Sequence, residues 1–308
     1  MGWPANITIK EVGPRDGLQN EKVFISTEDK IAWINHLSSS GLKHIEITSF
    51  VNPKWIPALS DAVAVSKGIT RQLGVTYTAL VPNQQGLERA FEAEINEVAV
   101  FMSASETHNL KNINKSISNT FPVLRDLVQT ALAAGKSSRG YLSTVFGCPY
   151  EGNVDIDAVI RVSETLFEMG IGELSLGDTI GVANPKQVQE VLEVLLKRFP
   201  AEKLAMHFHD TRGTALANIL VSLQMGITTF DSSVGGLGGC PYAPGASGNV
   251  ATDDLLYMLH GMGIQTGVDQ KKIWAASQYI QGKIGKPLPS KSFQAASSQS
   301  GCKLENTI

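Results

Sequence analysis

The segment that decides the fold is residues 173–210, ELSLGDTIGVANPKQVQEVLEVLLKRFPAEKLAMHFHD. Its ends, residues 173–178 and 204–210, are short β-rich runs, and residues 185–199 between them carry apolar side chains at helical spacing. Pro185, directly after Asn184, suits the first turn of that helix. A strand, a helix and a second strand in this order predict a parallel βαβ unit.

The same alternation runs through most of the chain. The other strand candidates are residues 7–12, 44–50, 75–81, 97–103, 140–147 and 228–234. Further amphipathic stretches are residues 27–39, 155–169 and 214–225, with Asp155 as a cap and with Gly41, Gly170 and Gly226 where left-handed helix ends are expected. Eight strand candidates is the number that a (β/α)8 barrel requires.

The main alternative is a doubly wound open sheet. No G-x-G-x-x-G motif follows the first strand, and no linker rich in Pro, Ser or charge divides the 308 residues. We therefore predict an α/β chain with one catalytic domain, a (β/α)8 TIM barrel over about residues 5–263. A C-terminal helical extension and tail at 264–308, with a helix around 272–283, should pack over the barrel or against a partner subunit.

Composition favours work on small molecules in the cytoplasm. The net charge of -3 without blocks of like charge argues against nucleic acid and anionic membrane partners. No apolar run approaches the ~20 residues of a membrane span, and the N-terminus lacks the features of a secretory signal. The 3 cysteines make a disulfide scaffold improbable, so free thiols are expected.

Charged and imidazole side chains collect where the predicted strands end, which is the catalytic face of such a barrel. They are Arg15, Asp16, Glu46, Asp178, His207 and His209. His207 and His209 are two residues apart, so a strand places both side chains on one face. Spacing alone fits a metal site and a metal-free hydrogen-bonded pair equally well; Asp16 favours the metal. A set of N and O ligands without a thiolate favours Mg²⁺ or Mn²⁺, although it does not exclude Zn²⁺.

A glycine-rich segment, residues 235–249, follows the last strand candidate and carries Cys240. It can be a phosphate cradle, a plain mobile connection, or a lid that brings Cys240 over the pocket. A thiol on a lid suits general acid or base catalysis, whereas an incidental exposed thiol is the plainer interpretation. Cys148, near strand five, is expected only to pack.

Motifs from residue 7 to about residue 263 together resemble the 3-hydroxy-3-methylglutaryl-CoA lyases, which belong to the DRE-TIM metallolyases. They are GPRDGLQNE (13–21), IEITSFVNPKWIP (45–57), FGCPYEG (146–152), SLGDTIG (175–181), HFHDTRGTALAN (207–218) and GLGGCPYAPGASGN (236–249). The resemblance implies cleavage of (S)-3-hydroxy-3-methylglutaryl-CoA to acetyl-CoA and acetoacetate, as in leucine degradation and ketone-body formation. The expected partner is an acyl-CoA, with no organic cofactor, in a homo-oligomer.

The resemblance also implies roles for individual residues. Arg15 falls on the arginine that faces the thioester oxygen, Cys240 on the lid cysteine that returns a proton, and Lys22 on a position that meets the CoA phosphates. Glu46 and Asp178 match acidic residues that support the metal shell and the reacting hydroxyl. The implied metal ligands are Asp16, His207, His209 and Asn249. The group that removes the hydroxyl proton, His207, Asp178 or a metal-bound base, stays open.

The sequence departs from the family pattern in three places. Asp253 stands where a Glu is expected, so a carboxylate role there needs a longer reach. CKL at 302–304 is followed by four further residues, so it is not a terminal peroxisomal signal. Cys302 is interpreted as an inert tail cysteine rather than a regulatory thiol. Two other functions are considered: a condensing synthase of the same superfamily, and a catalytically silent acyl-CoA-binding protein.

Overall fold

The computed structural model describes residues 2–239 and 248–299. A closed barrel of eight strands lies at the centre, with β1 next to both β2 and β8. All neighbouring strands are parallel. The predicted (β/α)8 barrel is thus confirmed. The strands are β1 (Thr8–Glu11), β2 (His44–Ser49), β3 (Thr76–Leu80), β4 (Glu97–Ser103), β5 (Ser137–Ser143), β6 (Glu173–Asp178), β7 (Leu204–Phe208) and β8 (Thr229–Ser232).

Helices surround the barrel, and their ends follow the capping signals of the sequence. Asp155 accepts a hydrogen bond from the Asp157 amide at 3.0 Å at the start of α6, and Pro185 opens α7. The helices are α1 (Thr27–Ser38), α2 (Ala62–Gly68), α3 (Gln84–Glu92), α4 (Glu106–Ile113), α5 (Ile117–Ala133), α6 (Ile156–Glu168), α7 (Pro185–Leu195), α8 (Ala215–Gln224), α9 (Thr252–Gly261), α10 (Gln270–Ile284) and α11 (Lys291–Gln299).

Two predicted strand ends are wrong in ways that matter for the site. β5 lies three residues earlier than predicted at its start, which places Arg139 on the strand. β1 ends at Glu11, and Gly13–Gly17 form one turn of π-helix, so Arg15 and Asp16 lie on this turn rather than on the strand. The turn forms because the Val12 carbonyl accepts from the Asp16 amide at 2.7 Å, while the Glu11 carboxylate accepts from the Gly13 amide at 2.8 Å.

The main apolar core lies between the barrel and the helices, and the barrel interior is largely polar. Side chains such as Ile45, Val98 and Met206 are fully buried in the outer layer. Inside, Lys10 on β1 reaches Glu97 on β4 at 3.8 Å, although these strands are not neighbours. A charged interior is unusual for such a barrel, which is ordinarily filled by branched apolar residues.

The predicted C-terminal helical extension is confirmed. The predicted helix at 272–283 is α10, and α11 follows it within the segment predicted as a helical extension and tail. The Asp254 carboxylate accepts from the Ser290 hydroxyl at 2.7 Å and the Ser292 amide at 2.6 Å, which fixes the start of α11. Phe293 is then buried, so the extension packs on the barrel as far as the structure describes it. Within residues 2–239 and 248–299, no helix combines the length and apolarity needed to cross a membrane.

Candidate active site

Three buried side chains converge at the carboxyl end of the barrel. Asp16, His207 and His209 each offer one ligand atom, and these atoms lie within 4.8 Å of one another. His207 is on β7, His209 is just beyond it, and Asp16 comes from the π-helical turn after β1. The two imidazole rings are 5.3 Å apart, as their expected placement on one face requires. We call these three residues the donor group.

Asn249 lies beside the donor group. Asn249 forms a β-bridge with His209, and its Nδ2 donates to Asp16 Oδ2 at 2.7 Å and to the Leu237 carbonyl at 3.1 Å. A Cβ on Gly238, which has φ +129°, would lie 2.6 Å from that amide nitrogen. Glycine is therefore required at 238 for Asn249 to approach Asp16.

Arg15 lies beside the donor group and is held on several sides. Its Nε donates to Glu46 Oε2 at 2.7 Å, its Nη1 donates to Asp16, and its guanidinium lies 5.2 Å from the Tyr141 ring centroid. Burial opposes the charge of Arg15, but the carboxylates of Glu46 and Asp16 raise its pKa, so it stays protonated. A cation is thus fixed next to a candidate metal site.

The protonation states of Asp16 and His209 suit a divalent cation. Burial, reinforced by the charge of His207, lowers the pKa of His209 to about 4, so its ring is neutral at pH 7. Burial opposes ionisation of Asp16, but the charges of Arg15 and His207 lower its pKa. Among the described residues, the buried Nδ1 of His209 has no hydrogen-bond partner. An ionised carboxylate and a neutral imidazole with an unshared lone pair fit a metal ion.

Asp178 is buried at the end of β6, outside the donor group. Its oxygens accept from the Val182 amide at 2.9 Å and the Ala183 amide at 3.1 Å. Burial raises its pKa to about 6 despite these bonds. Asp178 therefore organises the loop after β6 while remaining a carboxylate that titrates near neutrality.

The other predicted residues either lie outside the donor group or fall outside the described residues. Lys22 is exposed on the loop between the π-helical turn and α1. Cys148 is buried, with its Sγ 3.0 Å from the Ser105 hydroxyl, as expected for a packing cysteine. Cys240 and Cys302 lie outside the described residues.

Asp253, the position that departs from the family pattern, is fully buried at the start of α9. Its carboxylate accepts from the Gly235 amide at 2.6 Å and the Ser277 hydroxyl at 2.5 Å. Burial raises its pKa to about 6. Asp253 thus ties the first glycine of the glycine-rich segment to α10, and it does this through direct hydrogen bonds despite the shorter side chain.

Sequence analysis missed three interior residues below the donor group: Arg139, Tyr141 and Asp231. Arg139 Nη2 contacts Asp231 Oδ1 at 3.0 Å, and Arg139 Nη1 donates to the Tyr141 hydroxyl at 2.9 Å. The signal was present, because Asp231 is a carboxylate in the middle of a predicted buried strand. Arg139 was missed because the predicted strand began one residue too late to include it.

The HMGL-like family model matches residues 6–280 of this chain. The chain belongs to the HMGL-like family. Its curated relatives include hydroxymethylglutaryl-CoA lyase YngG of Bacillus subtilis (strain 168), which is 66% identical over 294 residues, 96% of this chain and 98% of that protein. Membership is consistent with the barrel and with the polar site at its carboxyl end.

Solved structures give the same relationship. A Bacillus subtilis HMG-CoA lyase crystal structure matches with a TM-score of 0.95 and 65% identity, covering 96% of this chain and 100% of that one. An HMG-CoA lyase from Acinetobacter baumannii, in complex with coenzyme A and 3-methylmalate, matches with a TM-score of 0.91 and 38% identity, covering 100% of this chain and 99% of that one. This HMGL-like chain therefore has solved relatives along its full length.

Proposed function

We propose that this HMGL-like enzyme cleaves (S)-3-hydroxy-3-methylglutaryl-CoA to acetyl-CoA and acetoacetate. The observation that carries the proposal is the placement of Arg15 directly beside the donor group of Asp16, His207 and His209. A carbon–carbon lyase of this kind needs a site that acidifies a hydroxyl and, next to it, a cation for the electrons released. HMG-CoA lyases at 66% and 65% identity support the same substrate.

Asp16, His207 and His209 would hold a divalent cation, Mg²⁺ or Mn²⁺, with Asn249 as a fourth ligand. Asn249 directs its amide nitrogen at Asp16, so ligation requires the amide to turn and present Oδ1. When bound, the cation would supply Lewis acidity that acidifies the C3 hydroxyl of the substrate.

Arg15 stabilises the thioester oxygen as negative charge develops on it. Breaking the C2–C3 bond leaves its electron pair on the acetyl-CoA fragment, which becomes an enolate. The Arg15 guanidinium is held by Glu46 and faces Tyr141, so it needs no rearrangement when the charge appears. Glu46 therefore positions the group that binds the enolate oxygen.

Asp178 is the better candidate for removing the hydroxyl proton. Its pKa of about 6 leaves it ionised at pH 7 and close to the range in which a general base is effective. Each of its oxygens accepts one backbone hydrogen bond, which leaves a further lone pair on each. His207 has its Nδ1 at 3.2 Å from Asp231, and its other nitrogen is needed as a ligand.

Cys240 is proposed to return a proton to the enolate carbon, and Lys22 to contact the CoA phosphates. The role of Cys240 rests on the family resemblance, since the residue lies outside the described residues. Lys22 is exposed near the catalytic face, where a charged phosphate can reach it. We also propose that the enzyme is homo-oligomeric and cytoplasmic and acts in leucine degradation.

The test is incubation of the purified protein with racemic 3-hydroxy-3-methylglutaryl-CoA and Mg²⁺, with an EDTA control, following acetoacetate through a coupled reductase. The proposal predicts metal-dependent acetoacetate that stops when half of the racemate is consumed. Absence of acetoacetate from metal-loaded protein would contradict it. Release of free CoA from acetyl-CoA and a 2-oxo acid would then make the chain a condensing synthase.

A further inference from the structure

Asp231 on β8 is a buried carboxylate that the proposed mechanism does not use. Its Oδ2 lies 3.2 Å from His207 Nδ1 and accepts from the Ser175 hydroxyl at 2.6 Å. Its Oδ1 accepts from Arg139 Nη2 at 3.0 Å. With 1% of its surface exposed, Asp231 is fixed from three sides and faces one of the donor group.

The contacts continue from Arg139 across the barrel interior. Arg139 donates to the Tyr141 hydroxyl at 2.9 Å, and that hydroxyl donates to Glu46 Oε2 at 3.0 Å. Glu46 Oε2 also accepts from Arg15 Nε at 2.7 Å. A continuous hydrogen-bonded chain therefore joins His207, a member of the donor group, to Arg15, the cation beside it.

We propose that Asp231 is a positioning residue that fixes His207 as the Nδ1-protonated tautomer, with Nε2 directed at the cation site. A neutral imidazole carries one N–H, and a carboxylate that faces Nδ1 requires the proton there, which leaves the Nε2 lone pair free. Arg139, Tyr141 and Glu46 link this fixed orientation to that of Arg15. The inference rests on the metal site of the proposed function.

The second histidine provides an internal contrast. Within the described parts of the chain, His209 Nδ1 is buried without a hydrogen-bond partner, whereas His207 Nδ1 has a carboxylate. A carboxylate within the chain therefore holds the ring of His207 at Nδ1, whereas no such contact holds Nδ1 of His209. Removal of a carboxylate that accepts a hydrogen bond from a ligating histidine typically lowers metal affinity about 10- to 100-fold.

The first test is Mn²⁺ titration of the Asp231→Asn protein, followed by the electron paramagnetic resonance signal of free Mn²⁺. We expect the Kd to rise about 10- to 100-fold relative to the parent protein. Ser175→Ala is the matched control, because it removes a bond to the same Oδ2 without touching His207, and it should raise the Kd less. A thermal melt of each variant separates lost folding from lost affinity.

The outcomes distinguish this inference from the proposed function. A folded Asp231→Asn protein that binds Mn²⁺ as tightly as the parent overturns the role of Asp231. A parent protein that binds no Mn²⁺ overturns the metal site itself.

A second measurement needs no Asp231 variant. Two-bond ¹H–¹⁵N spectra of the metal-free parent at mildly alkaline pH report the tautomer of each imidazole, with His207 assigned from the signals missing in His207→Gln. We expect the Nδ1-protonated pattern for His207. An Nε2-protonated His207 would overturn the inference whatever the metal affinity.

Discussion

The interior of the barrel has two charged regions that differ in how their charges are balanced. The lower charge cluster, at the amino ends of the strands, consists of Lys10, Glu97, Glu173 and Arg139. Lys10 and Arg139 both lie 2.9 Å from Glu173, so each cation faces a carboxylate. The donor group, at the carboxyl ends, instead brings an ionised Asp16 and a neutral His209 together with His207.

The difference separates a cluster whose charges are paired within the chain from a candidate metal site. Buried ions that are paired with one another within the chain contribute to one folded arrangement. The three buried ligand atoms of the donor group converge within 4.8 Å, an arrangement that fits a divalent cation. Substitutions in the donor group should therefore affect catalysis, and substitutions in the lower charge cluster should affect stability.

The largest catalytic loss is expected for Cys240→Ala. Removal of the proposed general acid should lower kcat by about 10²- to 10⁴-fold, while Mn²⁺ and substrate binding are retained. Steady-state kinetics and a binding titration measure the two effects separately. Cys302→Ala is the matched control and should retain the parent kcat; a Cys240→Ala enzyme with the parent kcat would remove the thiol from the reaction.

Arg15→Gln should come next, with kcat lowered by about 10²- to 10³-fold and a smaller rise in KM. The reason is that Arg15 is proposed to act on charge that develops only during bond cleavage. Arg198→Gln changes an exposed arginine, paired with Glu164 at 3.0 Å, and should leave both constants unchanged. A pure KM effect in Arg15→Gln would mean that Arg15 only binds substrate.

Lys10→Met tests the lower charge cluster. It leaves the buried carboxylates of Glu97 and Glu173 short of a cation, so the free energy of unfolding should fall by about 3 kcal/mol. The kcat of the folded variant should stay within a few-fold of the parent value. Lys186→Met, which breaks an exposed pair with Glu190, should change stability little. A large fall in the kcat of folded Lys10→Met would contradict the claim that the lower charge cluster affects stability rather than catalysis.

Glu11 gives the smallest effect and a pH signature. Burial raises its pKa to about 7 from an ordinary 4.5, although Thr252, Val234 and Gly13 donate hydrogen bonds to it. The folded state therefore favours the protonated form, and stability present at low pH is lost as the pH rises through 7. Glu11→Gln should reduce the loss of unfolding free energy between pH 5 and 8 by about 2 kcal/mol, measured by urea titration. An unchanged pH dependence would show that Glu11 is ionised in the folded protein at both pH values.

The sequence predicted the features that repeat or alternate, and missed those that depend on distant contacts. The period of the strands was enough for the barrel, and the two-residue spacing of His207 and His209 was enough for their shared face. The π-helical turn depends on the Val12 carbonyl and the Glu11 carboxylate, which no local pattern reveals. Likewise, Arg139 contacts Asp231 across 92 positions of sequence.

The C-terminal extension, outside the barrel, also depends on distant contacts. Residues 291–299 have little helical signal of their own, and α11 begins there because Asp254 on α9 accepts from the Ser292 amide. The roles of Cys240 and Lys22 remain predictions, because one lies outside the described residues and the other is an exposed side chain.

The measurement that tests the central claim most directly is the Mn²⁺ stoichiometry of three proteins: the parent, His209→Asn in the donor group, and Lys10→Met in the lower charge cluster. Electron paramagnetic resonance should find one bound Mn²⁺ per chain in the parent and in Lys10→Met, and greatly weakened binding in His209→Asn. Absence of bound Mn²⁺ in the parent, or undiminished binding in His209→Asn, would contradict the assignment of the donor group as the metal site.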